Sequence, residues 1–225
     1  MGKEEAVRLG VIARRLADGL ISVLLAPPCA ACAAPLNHPT AGPVCDSCWR
    51  SAAVAASPFE VPHVERGRGA GIYTGSLREI VHALKYQHRT SLARPLATLI
   101  VRHCADVLDG ADLVVPVPLH RSRLRERGFN QAALIARELP LPCADVLARV
   151  RPTASQTDLP AHERRRNVRD AFAIADPKSR ASVDERVIVL VDDVATTGAT
   201  LSECGRVLKQ AGAGEVRAVT AARAP

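Results

Sequence analysis

Val187-Ile188-Val189-Leu190-Val191-Asp192-Asp193-Val194-Ala195-Thr196-Thr197-Gly198-Ala199-Thr200-Leu201 decides the fold. A short apolar run rich in Val and Ile reads as a central strand of a parallel sheet, buried on both faces. It ends on two carboxylates. In open α/β sheets ligands sit beyond the carboxyl ends of the strands, so the acid pair stands where chemistry is usually done. A loop of small and hydroxylic residues follows, and then a helical pattern. Backbone N–H groups at such a helix N-terminus suit a phosphate. The stretch therefore predicts a sugar-phosphate site, with hydroxyls on the aspartates and phosphate on the loop.

Working outward, Asp112-Leu113-Val114-Val115-Pro116-Val117-Pro118 predicts a second apolar strand, broken by prolines that set a rigid turn, with a cis bond as one way to make it. His120, Arg121, Arg123, Arg125 and Arg127 follow at that turn, and Gly128-Phe129-Asn130-Gln131 leads into a helix over 132–139. Basic residues there suit a pyrophosphate, with a solvated arginine face as the alternative. A further strand is predicted over 144–150. The polar stretch 151–160 reads as a long functional loop, and Glu163-Arg164-Arg165-Arg166-Asn167-Val168-Arg169 as a basic helical segment that closes over a phosphate or meets nucleic acid. After the acid pair come a helix over 201–210, a stop at Gly212 and a last strand over 215–221. Together these predict an α/β domain with an open, mainly parallel sheet flanked by helices.

The N-terminal part has a different character. Cys29-Ala30-Ala31-Cys32 and Cys45-Asp46-Ser47-Cys48 are separated by twelve residues, a spacing that lets four thiolates surround a structural zinc ion. A redox dithiol needs only one such pair, and disulfides are disfavoured in a reducing cytosol. Cys104, Cys143 and Cys204 sit on apolar patterns as small hydrophobes. Residues 1–28 predict an amphipathic helix packed on the body of a cytoplasmic protein, with membrane-surface binding the alternative. The apolar run 16–26 contains Asp18 and falls short of the ~20 residues of a transmembrane segment. The expected division is a helix over 1–28, a zinc module over 29–50, a linker over 51–69 and the sheet domain over 70–225. Gly71-Ile72-Tyr73 reads as a short strand, and Ser76-Leu77-Arg78-Glu79 opens a helix with capping-box spacing that ends near Lys85.

Composition narrows the function classes. Aromatic residues make up 3% of the chain, too few for a base-stacking platform. The net charge of +7 favours an anionic ligand such as pyrophosphate or nucleic acid. No GxxxxGK[ST] occurs, which removes the P-loop reading. A receiver domain places its acid pair after the first strand, whereas here only about thirty residues follow.

Residues 189–200 resemble the phosphoribosyl-pyrophosphate (PRPP) motif of type I phosphoribosyltransferases. Four paired cysteines, Lys85-Tyr86, the Val-Pro-Val-Pro-Leu turn, Arg127-Gly128-Phe129-Asn130-Gln131 and the Gln156, Arg164, Asn167-Val168 segment extend this to a resemblance to the ComF family of late competence and GntX-like proteins. The resemblance implies a type I phosphoribosyltransferase fold. It implies Asp192 and Asp193 on the ribose hydroxyls, and Ala195, Thr196, Thr197, Gly198, Ala199 and Thr200 around the 5′-phosphate. Pro118, Leu119, His120 and Arg121 are similar in position to a pyrophosphate-binding loop, and Gln156, Arg164 and Arg165 belong to a closing loop. Magnesium would bridge pyrophosphate and ribose oxygens. Lys85, His120 and Arg121 are the candidates for stabilising the leaving pyrophosphate. No general base and no base-recognition pocket is legible. A second reading therefore stands beside phosphoribosyl transfer: a PRPP-responsive adaptor that binds single-stranded DNA or a partner in DNA uptake.

Overall fold

A computed structural model describes residues 3–25, 27–52, 54–152, 166 and 168–225. The chain forms two units, Met1–Ala52 with Thr74–Leu92, and Ala53–Tyr73 with Ala93–Pro225.

The larger unit is built on a five-stranded sheet of β1 (Ser57–Val61), β2 (Val64–Gly69), β3 (Leu113–Pro116), β6 (Val187–Ala195) and β7 (Glu215–Arg223), in the order β1-β2-β7-β6-β3. Only β1 runs antiparallel to its neighbour. The Val187 strand pairs with β3 on one edge and β7 on the other, and Ile188 to Val191 are fully buried. Double-sided burial is what its unbroken apolar run requires. Ile188 and Leu190 meet Leu201, Cys204 and Leu208 of the helix Ala199–Gln210 on one face. Helices Ala93–His103 and Gln131–Ala136 cover the opposite face. A separate antiparallel pair, β4 (Leu147–Arg149) and β5 (Phe172–Ile174), completes the unit.

The stretch 51–69 is not a linker, because 57–69 forms the β1-β2 hairpin at one edge of the sheet. Its charged residues hid the strand pattern, since Arg66 and Arg68 point to ion pairs with Glu215 and Asp106 rather than to the core. Gly71-Ile72-Tyr73 is reduced to a single bridge from Ile72 to Arg223. The acid pair does not end its strand. Pairing with β7 carries it on to Ala195, through Asp192 opposite Thr220 and Val194 opposite Ala222. Residues 121–127 form a short helix instead of an open turn, and the described peptide bonds are all trans. The cation Arg217 is buried in β7, where Glu215 and the carbonyls of Val107 and Asp109 accept its N–H groups. Arg217, and then Arg66, hold the Glu215 carboxyl down at about 2, against the effect of burial.

In the smaller unit the helix Lys3–Leu25 uses a polar edge where its apolar face was expected to pack. Asp18 is buried, and it accepts from Thr40 N at 2.9 Å and Thr40 Oγ1 at 2.7 Å. Ser22 donates to the carbonyl of Leu36, while Leu16, Leu20 and Leu24 are exposed. A buried carboxylate needs donors, and Thr40 supplies two at one place, which fixes this edge of the helix inward. Thr40 holds the Asp18 carboxyl below its usual range. Helix Gly75–Tyr86 groups with this unit rather than with the sheet. Its N-cap is Thr74, with no side-chain capping bond, and the Ser76 hydroxyl, two residues inside the helix, pairs with that of Ser51 instead of forming a capping box. No helix among the described residues is long and apolar enough to cross a membrane.

The hairpin can be tested at Gly67. A Cβ there would lie 2.3 Å from Phe59 Cε2 and 2.7 Å from the Phe59 carbonyl oxygen. Gly67→Ala is expected to cost about 2 kcal/mol by overpacking, read as a lower denaturant midpoint with an unchanged slope. An unchanged midpoint would fit a linker instead.

Candidate functional site

The parallel strands of the larger unit end together, at Pro116 of β3, Ala195 of β6 and Arg223 of β7. Two loops that the sequence marked leave this edge from the adjacent strands β3 and β6, so 117–121 and 192–200 share one end of the sheet. Asp192 is half-buried and Asp193 is 3% exposed. Each carboxylate accepts the next backbone N–H: Asp193 N donates to Asp192 Oδ1 at 2.8 Å, and Val194 N donates to Asp193 Oδ1 at 3.0 Å. These contacts stiffen the acid pair beyond the point where β3 stops pairing.

The loop after the strand is shaped by Gly198. Its φ of +70° lies in the left-handed region, and a Cβ there would approach Val61 Cγ1 to 2.0 Å. Gly198 is also the N-cap of the helix Ala199–Gln210, and having no side chain it makes no capping bond of its own. Thr197 Oγ1 is buried without a hydrogen-bond partner among the described residues. A glycine-capped helix N-terminus beside the Thr197 hydroxyl fits an anion such as the 5′-phosphate of a sugar phosphate.

At the neighbouring turn His120 caps the helix Arg121–Arg127. Its Nδ1 accepts from Ser122 N at 3.3 Å and lies 2.8 Å from Ser122 Oγ. Accepting there leaves the proton of the neutral ring on Nε2. Arg121 is exposed at the start of the helix. Asn130 holds the turn from behind: its Nδ2 donates to the Val117 carbonyl at 3.0 Å, and its Oδ1 caps Ala132 N at 3.0 Å. Sequence reading quoted Asn130 but gave it no such positioning role. Lys85 lies in the last turn of its helix in the smaller unit. Gln156, Arg164 and Arg165 lie outside the described residues.

Two features of this edge were not legible beforehand. Arg149, at the end of β4, bridges to His120 through the backbone and lays its guanidinium over the Phe172 ring. Asp170, with φ +54°, is tied to the helix after the loop: its N–H donates to Glu203 Oε1 at 2.9 Å, and Arg206 pairs with its carboxylate at 3.3 Å. Arg206 also draws the Glu203 carboxyl below its usual range. Between Asp170, Gly198 and Pro62 lies a cleft of about 350 Å³. Nothing in linear spacing joins residues 62, 170 and 198; only the hairpin and the loop root meeting at one helix do so.

In the smaller unit the Sγ atoms of Cys29, Cys32, Cys45 and Cys48 all lie within 4.8 Å of one another. Cys32 and Cys45 are 3.8 Å apart at sulfur, far beyond a disulfide and equal to the ~3.8 Å edge of a tetrahedron with metal–sulfur bonds of ~2.3 Å. Without a metal the thiols differ widely. The Ser47 hydroxyl pulls Cys45 down to about 6, while burial pushes Cys48 up to about 12. The donor set and spacing fit a metal ion such as zinc. Cys104 and Cys204 are buried and Cys143 half-buried, as expected of small hydrophobes.

Residues 124–225 match the phosphoribosyl transferase domain family. That match, the sheet order and the N-terminal cysteine cluster define a type I phosphoribosyltransferase fold with a four-cysteine module. The chain is 34% identical over 199 residues to the DNA utilization protein YhgH of Salmonella typhi, covering 84% of this chain and 81% of that one. It is also 34% identical to competence protein F of Haemophilus influenzae, over 68% of this chain and 71% of the relative. Competence protein ComFC of Bacillus subtilis matches at 35% over 44% of this chain and 39% of its own length. The chain belongs to the ComF family.

Gly198→Ala tests the loop. The substitution strains a left-handed residue and drives a methyl into Val61, so the melting temperature is expected to fall by several degrees, about 1–3 kcal/mol. A fully tolerated substitution would show that the backbone at 198 is not held as described.

Proposed function

We propose that this protein binds PRPP at the carboxyl edge of its sheet and transfers the phosphoribosyl group with release of pyrophosphate. The observation that carries this reading is the acid pair running directly into the glycine-capped helix N-terminus at Gly198, within a phosphoribosyl transferase domain. Asp192 and Asp193 accept from the ribose 2′- and 3′-hydroxyls. Residues 195–200 surround the 5′-phosphate, with the Thr197 hydroxyl and the first-turn amides as donors. Pro118, Leu119, His120 and Arg121 border the pyrophosphate, with Nε2–H of His120 as a donor. Lys85 is a further candidate cation, and Gln156, Arg164 and Arg165 are candidate substrate ligands.

In the transfer the bond from C1′ to the pyrophosphate oxygen breaks and its electron pair leaves with pyrophosphate. A bond forms between C1′ and a nucleophile, typically a base nitrogen, which gives up its proton. Positive charge grows on the ribose ring and negative charge on the leaving group, so fixed N–H donors and cations aimed at pyrophosphate lower the barrier. Magnesium, bound with the substrate, supplies neutralisation of the pyrophosphate oxygens. The four cysteines hold a structural zinc. A cytoplasmic location goes with this reading, since thiols held for a metal ion need a reducing compartment.

A second reading is supported by the +7 charge and by the names of the relatives, which concern DNA utilisation and competence. In it, PRPP binding regulates contact with single-stranded DNA or with proteins of DNA uptake. Binding of single-stranded DNA should then weaken steeply as salt rises, and no binding at low salt would exclude the DNA form of this reading.

Titration with PRPP and magnesium should give saturable binding, weakened at least about tenfold in Asp192→Asn and Asp193→Asn through loss of charged hydrogen bonds. Incubation with a panel of bases and nucleosides should release pyrophosphate with one of them. Binding without release from any acceptor would favour the adaptor, and no binding would overturn both PRPP readings.

Metal analysis of carefully purified protein should return about one zinc per chain, and chelation should lower the melting temperature. Substoichiometric metal with unchanged stability would undo the zinc assignment.

A further inference from the structure

One side chain ties the 117–121 turn to the strand that carries the acids. Val117 stands between Pro116 and Pro118, so of the backbone N–H groups at 116–118 only its own can anchor the chain. Val117 N donates to the carbonyl of Val191, the residue before Asp192, at 2.9 Å. The Val117 carbonyl accepts from Asn130 Nδ2 at 3.0 Å. That carbonyl belongs to the planar peptide leading into Pro118, so its orientation sets the direction in which the turn leaves β3. Val117 is buried, and a buried carbonyl that loses its donor recovers one only by moving toward water.

Between 117 and 130 the chain makes a closed excursion. His120 caps the helix Arg121–Arg127, which stops at Gly128 with a left-handed φ of +78°, where Gly128 N donates to the carbonyl of Leu124 at 2.8 Å. The chain then returns, and the bond from Asn130 to Val117 closes the neck of a loop that contains both the turn and the helix. Asn130 does two separable things. Its Oδ1 accepts from Ala132 N at 3.0 Å and caps the helix Gln131–Ala136, which packs on β3 and β6. Its Nδ2 is the atom that reaches the turn. Serine and aspartate also cap helices well, but a serine is shorter and a charged carboxylate cannot donate.

We propose that Asn130 is a positioning residue for diphosphate binding: through Nδ2 it holds the 117–121 turn at a fixed place beside the Asp192 strand, so that one ligand meets the turn and the acids together. The assignment deepens the PRPP reading and rests on it for the identity of the full substrate. A ligand that spans two loops binds more tightly when their separation is already set, because no ordering of the turn is then left to the binding step.

The test uses calorimetric titration of the full chain with three probes: inorganic pyrophosphate with magnesium, PRPP with magnesium, and ribose 5-phosphate. Asn130→Ser keeps a capping hydroxyl but loses the reach to Val117, and it should weaken pyrophosphate and PRPP about tenfold while leaving ribose 5-phosphate within about twofold. Asn130→Asp should show the same loss, at high salt too, where its added charge is screened. Asp176 caps the helix Pro177–Ala181, accepting from Ser179 N at 2.9 Å, and has no part in the proposed site. Asp176→Ala therefore supplies a comparable loss of stability and should leave pyrophosphate affinity within about twofold. Amide hydrogen exchange should quicken over 117–121 in both Asn130 variants and stay unchanged over 192–200. Pyrophosphate affinity within about twofold of wild type in folded Asn130→Ser overturns the proposal, as does a loss in Asn130→Asp alone that disappears at high salt. Equal weakening of ribose 5-phosphate, quickened exchange over 192–200, or an equal loss in Asp176→Ala overturns it too, since Asn130 would then act through general stability. Should Asn130→Ser fail to fold by circular dichroism, Asn130→Asp at high salt carries the test with the same thresholds. Wild-type protein that binds pyrophosphate but not PRPP overturns the PRPP reading alone, and wild-type protein that binds no pyrophosphate overturns this proposal.

Discussion

Everything at the candidate site depends on the Val187–Ala195 strand being paired on both edges and buried on both faces. With β3 on one side and β7 on the other, Ile188 to Val191 leave water completely and pair along both edges. The two pairings have different lengths. The β3 ladder ends with Val117 N donating to the Val191 carbonyl, whereas β7 continues to pair as far as Ala195. Asp192 and Asp193 occupy the interval between these two limits. One edge there is tied to β7 while the β3 ladder has already ended, which holds Asp192 half-buried and Asp193 buried at the strand end.

The same economy of partners governs the other charges withdrawn from water. Arg217 satisfies its guanidinium with a carboxylate and two carbonyls, and Asp18 accepts twice from Thr40 and has His38 at 3.4 Å. Glu203 accepts from Asp170 N while pairing with Arg206. Each buried group is met by a partner far away in sequence, as desolvation requires.

The smaller unit illustrates how a single polar group can override an amphipathic pattern. The leucines at 16, 20 and 24 form an apolar stripe that periodicity would turn inward. Asp18 lies on another side of the helix, and its carboxylate is the group enclosed. The cysteine cluster contributes most where there is little core, since a module of this length cannot bury enough apolar surface by itself.

By itself the sequence determined the elements whose signals are local: the apolar Val187 strand with its acids, the Gly198 loop, the paired cysteines and the helix before Gly212. These follow from side-chain period, from backbone freedom at one glycine and from ligand spacing, all of which act over a few residues. Tertiary structure alone decided the rest. The 57–69 hairpin became sheet because β7 offered an edge for β2, and the acid strand lengthened because the same β7 ran past β3. Asn130 braces the turn from thirteen residues away, and Arg149 lays its guanidinium over Phe172 across the β4-β5 pair. Contacts of this kind depend on the order of strands in the sheet, which no local pattern encodes.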